Sequence, residues 1–469
     1  MTDLRAWTKR APLSVALLAI AAAGCVADRH SSGDTSAVCC STWIPEPLVV
    51  DPATHHPGLN NGGGSNEAQP TLPEGPLSLA QLLDVAARNN PDVAVARARS
   101  DAARGRLIQA GLYPNPTVTW EAEDVGSPGN AAGAEGPIIA QRIVTGGKLR
   151  LAEEAAAHGV AAADWQAVTR WFDVVGRVRL AYYELLTAQA EVRTHEEIVD
   201  LAKKGLGVAQ KLQKGGVGTQ PDVIRAQIEY DQSRILLATA RERADAATKL
   251  LATAVGVSAL PSAKLPENFE TPAPNFVWQS LLDTVLVRSS EVQEAQANVL
   301  QAERLLARAQ AENVPDLQLS VRPLFHFPDQ RAEVTIQAGA TLPIFNRNQG
   351  NIYAAQADLA RTTAEVRQVE LRLMERLTAA YRRYQAAKQQ VEAYRTEILP
   401  NARKSLDLIR LGYESQDAKY QYIAVLEAQR TLAQARLANV QALGELWRAV
   451  GEITALLQQD ELPGAAEKR

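Results

Sequence analysis

Aromatic residues make up only 5% of this 469-residue chain, and that scarcity excludes a thick globular core. The long runs are built instead from Ala, Leu, Gln, Arg and Glu, the composition of extended helices. A basic excess is also missing. Lys and Arg number 49 against 53 Asp and Glu, a formal charge of -4, so no basic face is available for a nucleic-acid partner. The three cysteines make no disulfide framework and include no C-x-x-C pair for metal or redox chemistry; Cys39 and Cys40, adjacent in a polar stretch, receive no role. Phosphate-binding loops are absent too. Gly205-Leu206-Gly207 and Gly216-Val217-Gly218 lack the third Gly of a dinucleotide loop and read as helix ends. Thr145-Gly146-Gly147-Lys148-Leu149 lacks both the first Gly and the Ser or Thr of a P-loop. His55 and His56, in a leader, and His326, near a strand end, read as solvated or interfacial filler rather than metal ligands. Ser, His and Asp are too scattered to nominate a triad, so nothing points to catalysis and no cofactor is required.

What the chain does have is apolar periodicity on a long scale. Trp165, Val168, Phe172, Val175, Val178, Tyr182 and Leu185 recur at steps of three and four, which places them on one helix face. Val366, Val369, Leu373, Leu377, Tyr381, Tyr384, Ala387, Val391, Tyr394 and Ile398 do the same later in the chain. Each stripe belongs to a stretch (Gly147 to Gly256, Gly350 to Gly451) with a break near its middle, which reads as two helices folded back on one another. At ~1.5 Å per residue, a helix from Gly147 to about Lys214 is on the order of 100 Å long, too long for a compact domain. Such stripes need partners.

The first 25 residues have the form of a signal peptide: Arg5, Lys9 and Arg10, an apolar span from Ala11 to Ala23, then Gly24-Cys25. That span is shorter than the ~20 residues of a permanent membrane helix, so residues 1–24 are expected to be removed. Ala22-Ala23-Gly24-Cys25 resembles a bacterial lipobox, with Ala22 where Leu is usual. Acylation of Cys25 is the expectation, and ordinary cleavage nearby with Cys25 incidental is the alternative. By resemblance to known lipoproteins, Val26 stands where inner-membrane retention would want Asp, and that resemblance implies the outer membrane. Residues 25–76, rich in Pro, Gly, Asn and Ser, read as a flexible leader.

A whole unit is duplicated. Gln81-Leu82-Leu83-Asp84 returns as Ser280-Leu281-Leu282-Asp283 at an offset of 199, and the same offset pairs Ala181-Tyr182 with Ala380-Tyr381. Each unit (77–256, 275–458, joined by a Pro-containing linker at 257–274 and followed by a polar tail, 459–469) reads as a two-part helix, two strands and a helical hairpin. In the strand candidates, Val118, Trp120 and Ala122 alternate with polar residues, as do Leu317, Leu319 and Val321, and Val334, Ile336, Ala338, Ala340 and Leu342. The candidate at 136–144 is ambiguous, since either Ile139 and Ile143 or Ile138 and Ala140 could form its apolar face. Alternation suits a half-solvated soluble sheet and equally a membrane barrel. Four strands cannot close alone, and open edges do not survive in lipid, so a membrane sheet would have to be shared between copies.

Several stretches together resemble the TolC family of outer-membrane efflux channels. They are Leu83, Ala86, Asn89 and Pro91 in Leu-x-x-Ala-x-x-Asn-x-Pro; Ala110 to Pro116; Gln141 with Val144 to Leu149; Leu342 to Asn346; and Val425 to Arg430. In wording they are most similar to the heavy-metal, CzcC-like branch. The resemblance implies a mainly α protein with a small β part: a homotrimer whose four strands per protomer form a twelve-stranded β-barrel in outer-membrane lipid, continued by a periplasmic α-helical barrel. It also implies a periplasmic adaptor and an inner-membrane efflux pump as partners, and passive conduction of solutes, with metal cations as one class. A periplasmic coiled-coil adaptor lipoprotein is the alternative, against which the two repeats count. By the same resemblance Asp222 and Glu427, each near a hairpin return, would line the closed periplasmic aperture; Ala424 stands where an acid is often found. A helix-start role for these acids is the alternative. Pro400 is expected to break or kink the second long helix.

Overall fold

The computed structural model describes residues 77–123, 133–216, 218–260, 265, 273–326, 330–415 and 422–459. The signal-peptide and leader readings, including Cys25, Cys39, Cys40, His55 and His56, lie outside these residues. Each half begins with a short helix pair. Helix α1 (Leu79–Asn89) opens with a capping box, in which the Ser78 hydroxyl accepts from the Gln81 N–H while Gln81 Oε1 accepts from the Ser78 N–H at 2.9 Å. Asn90 ends α1 and starts α2 (Pro91–Gly111): its Oδ1 accepts the Asp92 N–H, and its Nδ2 donates to the Ala254 carbonyl, both at 2.9 Å. The capping residue of the Asn-x-Pro motif is therefore Asn90 rather than Asn89. At Gly256 (φ +91°), which ends α4 (Gln220–Val255), a Cβ would collide with the Asn90 backbone, so this closing contact requires glycine. The second half repeats the pattern with α5 (Trp278–Arg288) and α6 (Ser290–Ala311), capped by Ser289.

Helix α3 runs without interruption over Lys148–Lys214, 67 residues and roughly 100 Å. Gly205 and Gly207 lie inside it, which corrects the helix-end reading of that pair; a side chain at Gly205 would approach the Tyr422 hydroxyl and Gln429 of the facing helix. In the second half α7 (Gln349–Ala393) passes through a π-helical turn (Tyr394–Ile398) into α8 (Leu399–Glu414), and α9 (Tyr422–Leu456) returns. No non-helical residue separates α7 from α8, so Pro400 does not break the helix as expected. Proline has no N–H to donate to the preceding turn, and the wider π turn accommodates that loss. Where α3 meets α9, Gly444 packs so closely on Thr187 that a Cβ could not be accommodated without movement.

The stripes read from the sequence are buried over their central parts. Val178, Tyr182 and Leu185 of α3, with Leu373, Leu377, Tyr384 and Ala387 of α7, join residues of α1, α4, α5 and α9 in the main core, and Val175 is buried as well. Outer members such as Trp165 and Ile398 stay exposed. Burial also reveals how the halves correspond. Val174, Val178, Leu185 and Ala188 match Leu373, Leu377, Tyr384 and Ala387 at an offset of 199. Below the π turn the offset becomes 200, pairing Ala202 and Leu206 with Ala402 and Leu406. Along the returning helices it is 202, pairing Ala226, Ala240 and Leu251 with Ala428, Ala442 and Ile453.

The four strands, β1 (Thr117–Glu123), β2 (Ala134–Ile143), β3 (Leu317–His326) and β4 (Arg331–Ala340), form one antiparallel sheet in chain order. Both repeats thus contribute a strand pair to a single sheet. Among the described residues, no helix is long and apolar enough to cross a membrane.

Candidate functional site

The register settles the strand that sequence left open. Val118, Ile139, Val321 and Ile336 are successive cross-strand partners, making one apolar row across all four strands. Ile139 and Ile143 therefore share the apolar face, while Ile138, Ala140 and Arg142 take the other. Val118 is 70% exposed and Ile336 69%, with Trp120, Val334 and Leu319 exposed beside them. Apolar surface left open on this scale requires a covering phase. The opposite face carries Thr119, Glu121, Glu123, Gln318, Ser320, Arg322, Thr335 and Gln337. Pro137 and Pro323 occupy facing positions of β2 and β3, and the ladder there omits three residues on each strand. Neither proline has an N–H to contribute. His326 lies 3.2 Å from Glu333 at the far end of the β3–β4 pair.

At the other end the strands pass into the helices through an ionic junction. Gly146 (φ +66°) and Gly147 (φ +69°) turn the chain from β2 into α3. The turn places Lys148, only 5% exposed, where its Nζ donates to the Val314 carbonyl at 2.7 Å and to Asp316 Oδ1 at 2.8 Å. Asp316 also accepts from the Thr145 N–H at 3.1 Å and the Arg142 Nε at 2.8 Å. Burial pushes the Asp316 carboxyl up, but these donors, Lys148 foremost, outweigh it and hold the group at about 2. The Val144-to-Leu149 motif is thus a turn that locks onto the start of β3. Sequence reasoning missed Asp316; its signal was position alone, directly after Pro315 and before an alternating strand.

The aperture candidates sit at the hairpin tips. Asp222 occupies the third position of α4, where its carboxylate accepts from the Thr219 N–H at 3.3 Å and the Thr219 hydroxyl at 2.6 Å. It therefore serves as part of a helix cap. Glu427, in the second turn of α9, is exposed. By the burial correspondence Asp222 matches Ala424 and Glu427 matches the exposed Arg225, so the two acids are not equivalent positions of the repeat. Around them Leu206, Ala209, Ala226, Tyr422 and Leu426 form a small separate core, flanked by Tyr413 and Tyr230. Burial, with contributions from Tyr413, Asp222 and Glu229, pushes the Tyr422 hydroxyl up to about 12. Arg430 Nε donates to Glu229 at 2.8 Å, tying the two hairpins together. The tip of the second hairpin, 416–421, lies outside the described residues.

An apolar-faced sheet with open edges, carried on helices about 100 Å long, fits one subunit of a membrane sheet shared between copies. The family model described as outer membrane efflux protein matches residues 82–257 and 281–458, and the chain belongs to that family. It is 26% identical over 387 residues to the cobalt-zinc-cadmium resistance protein CzcC of Cupriavidus metallidurans, covering 82% of this chain and 90% of the relative. Its fold is similar to that of the outer membrane protein VceC of Vibrio cholerae (TM-score 0.68, 20% identity, covering 81% of this chain and 96% of that one). CusC is similarly related (TM-score 0.70, 18% identity, covering 81% and 91%). The resemblance read from the motifs is the family found, and the periplasmic adaptor alternative gives way to it.

Proposed function

We propose that three copies of this chain close a twelve-stranded barrel in the outer membrane, and that the channel passively conducts solutes handed to it by a periplasmic adaptor and an inner-membrane pump. The observation that carries this reading is the sheet: β1 and β4 are unpaired edges, and one face is apolar and exposed. Open edges are tolerated in lipid only if they pair with another copy. Metal cations are the cargo class supported by the likeness to CzcC, together with the motif wording. The protein is read as a conduit with no enzymatic step, lipid-anchored at Cys25, with Asp222 and Glu427 contributing to the periplasmic aperture.

The test is face-specific. Leu319→Arg or Ile336→Arg puts a charge on the proposed lipid face, at a cost of roughly 2–4 kcal/mol near the midplane, whereas Gln318→Arg or Thr335→Arg points into water. The first pair should lose heat-modifiable trimer from outer-membrane fractions and the second should keep it. Equal outcomes on both faces would refute the barrel.

A further inference from the structure

Arg322 is the centre of a charged group on the polar face of the sheet. Its guanidinium donates to Glu121 Oε2 at 2.6 Å and to Glu123 Oε1 at 2.9 Å. The contact skips a strand, because Arg322 is on β3, both glutamates are on β1, and β2 lies between. It is possible because the β2 partners of Glu121 and Glu123 are Gly136 and Ala134, which put almost nothing in the way. A side chain at Gly136 would also collide with the Pro323 carbonyl, so the gap is fixed by the backbone.

As a structural brace this arrangement contributes little. All three side chains are 30–43% exposed, and ion pairs of that kind are worth about 0–1 kcal/mol. Its electrical effect is larger, since one positive charge stands against two negative ones and the group keeps a net negative charge. Resting on the reading that this face lines the barrel, we infer that the Arg322 group sets the strength of cation preference inside it: the two glutamates give the sign, and Arg322 limits its size by neutralising one of their two charges in each copy. Rings of charged side chains in a water-filled pore select by sign. The other charges on this face are placed differently: Arg142 is bound to Asp316 at one end, and Arg331, Glu333 and His326 lie at the other.

The inference makes opposite predictions for its two halves. In planar bilayers, with a KCl gradient around 0.1 M, Arg322→Gln should raise the potassium-to-chloride permeability ratio roughly threefold, the size of a change of about half a kT in lumenal potential, because cation and anion partition move in opposite directions. Glu121→Gln with Glu123→Gln removes two charges per copy rather than one and should shift it towards chloride by roughly tenfold, about twice as far on a logarithmic scale, and Arg322→Lys should match the parent. Both shifts should fade at 1 M salt, where the Debye length falls to about 3 Å. A merely structural role would not move the two variants in opposite directions. Shifts of the same sign, or none, in channels that retain the heat-modifiable trimer would overturn the inference. If Arg322→Gln fails to assemble, the double glutamate variant decides alone, and absence of its chloride shift is equally fatal. The barrel reading is tested separately: if Leu319→Arg assembles like the parent, that reading fails, whereas its loss together with unshifted selectivity condemns only the role given to Arg322.

Discussion

Removing the Asp316 carboxylate should destabilise the channel more than any comparable change to a surface ion pair. In Asp316→Ala, Lys148 stays behind with its side chain 6% exposed, keeping the Val314 carbonyl at 2.7 Å but losing its partner at 2.8 Å. Glu312, at 3.6 Å, is too far for a compensating hydrogen bond. Stranding one member of a buried pair costs about 3–5 kcal/mol. Lys148→Met should cost less, because Asp316 retains Arg142 and the Thr145 N–H. Asp316→Ala combined with Lys148→Met should recover much of the loss, since no charge is then buried alone. Guanidinium unfolding in detergent, followed by near-ultraviolet circular dichroism, gives all three values. The junction has a pH signature as well. The folded carboxyl sits at about 2, below its ordinary 3.8, so its stabilisation is complete above about pH 4 and lost as pH falls through 2. The difference corresponds to ~2 kcal/mol, and Asp316→Asn should lack this acid-dependent component. An Asp316→Ala channel within ~0.5 kcal/mol of the parent, or a double variant weaker than Asp316→Ala, would refute the reasoning.

Three further outcomes are expected. Asp222→Ala with Glu427→Ala should lower cation preference in single-channel recordings without loss of trimer; parental selectivity and conductance would remove both residues from the aperture. Because Arg225 is the repeat equivalent of Glu427, Arg225→Ala should shift preference the other way, and a shift of the same sign would show that it does not share the acids' surroundings. Cys25→Ala should abolish incorporation of labelled fatty acid yet leave the channel in the outer membrane, because a closed barrel buries far more apolar surface than acyl chains do; undiminished labelling would end the lipidation proposal.

The features legible in the sequence were those that repeat. Periodicities of three and four located α3, α7 and their buried faces, and alternation located β1, β3 and β4. Strand β2 was not legible because Ile138, Ile139, Ala140 and Ile143 offer an apolar residue to either face; only pairing with Val118 and Val321 decides between them. The π turn was equally hidden, since Pro400 signals a disturbance but not how a neighbouring turn absorbs it. Charged contacts were least visible. Asp316 with Lys148 and Arg322 with Glu121 are separated by 168 and 201 residues, and no local pattern announces an ion pair closed by the fold of a duplicated chain.

The changing offset between the halves has a consequence for symmetry. One additional residue enters at the level of the π turn and two more by the returning helix, so the hairpins share a buried seam but not a common tip. Asp222 and Arg225 mark one tip, Ala424 and Glu427 the other. In a trimer the six tips would therefore alternate between two chemistries around the rim: a hexagon in outline, but a threefold object to anything that docks on it. A partner with six identical contact sites would meet two unlike surfaces and bind them with two affinities. A partner that had itself diverged into two kinds of site could match the rim in only one rotational setting, and neighbouring copies would then be fixed in phase by the older duplication within the chain.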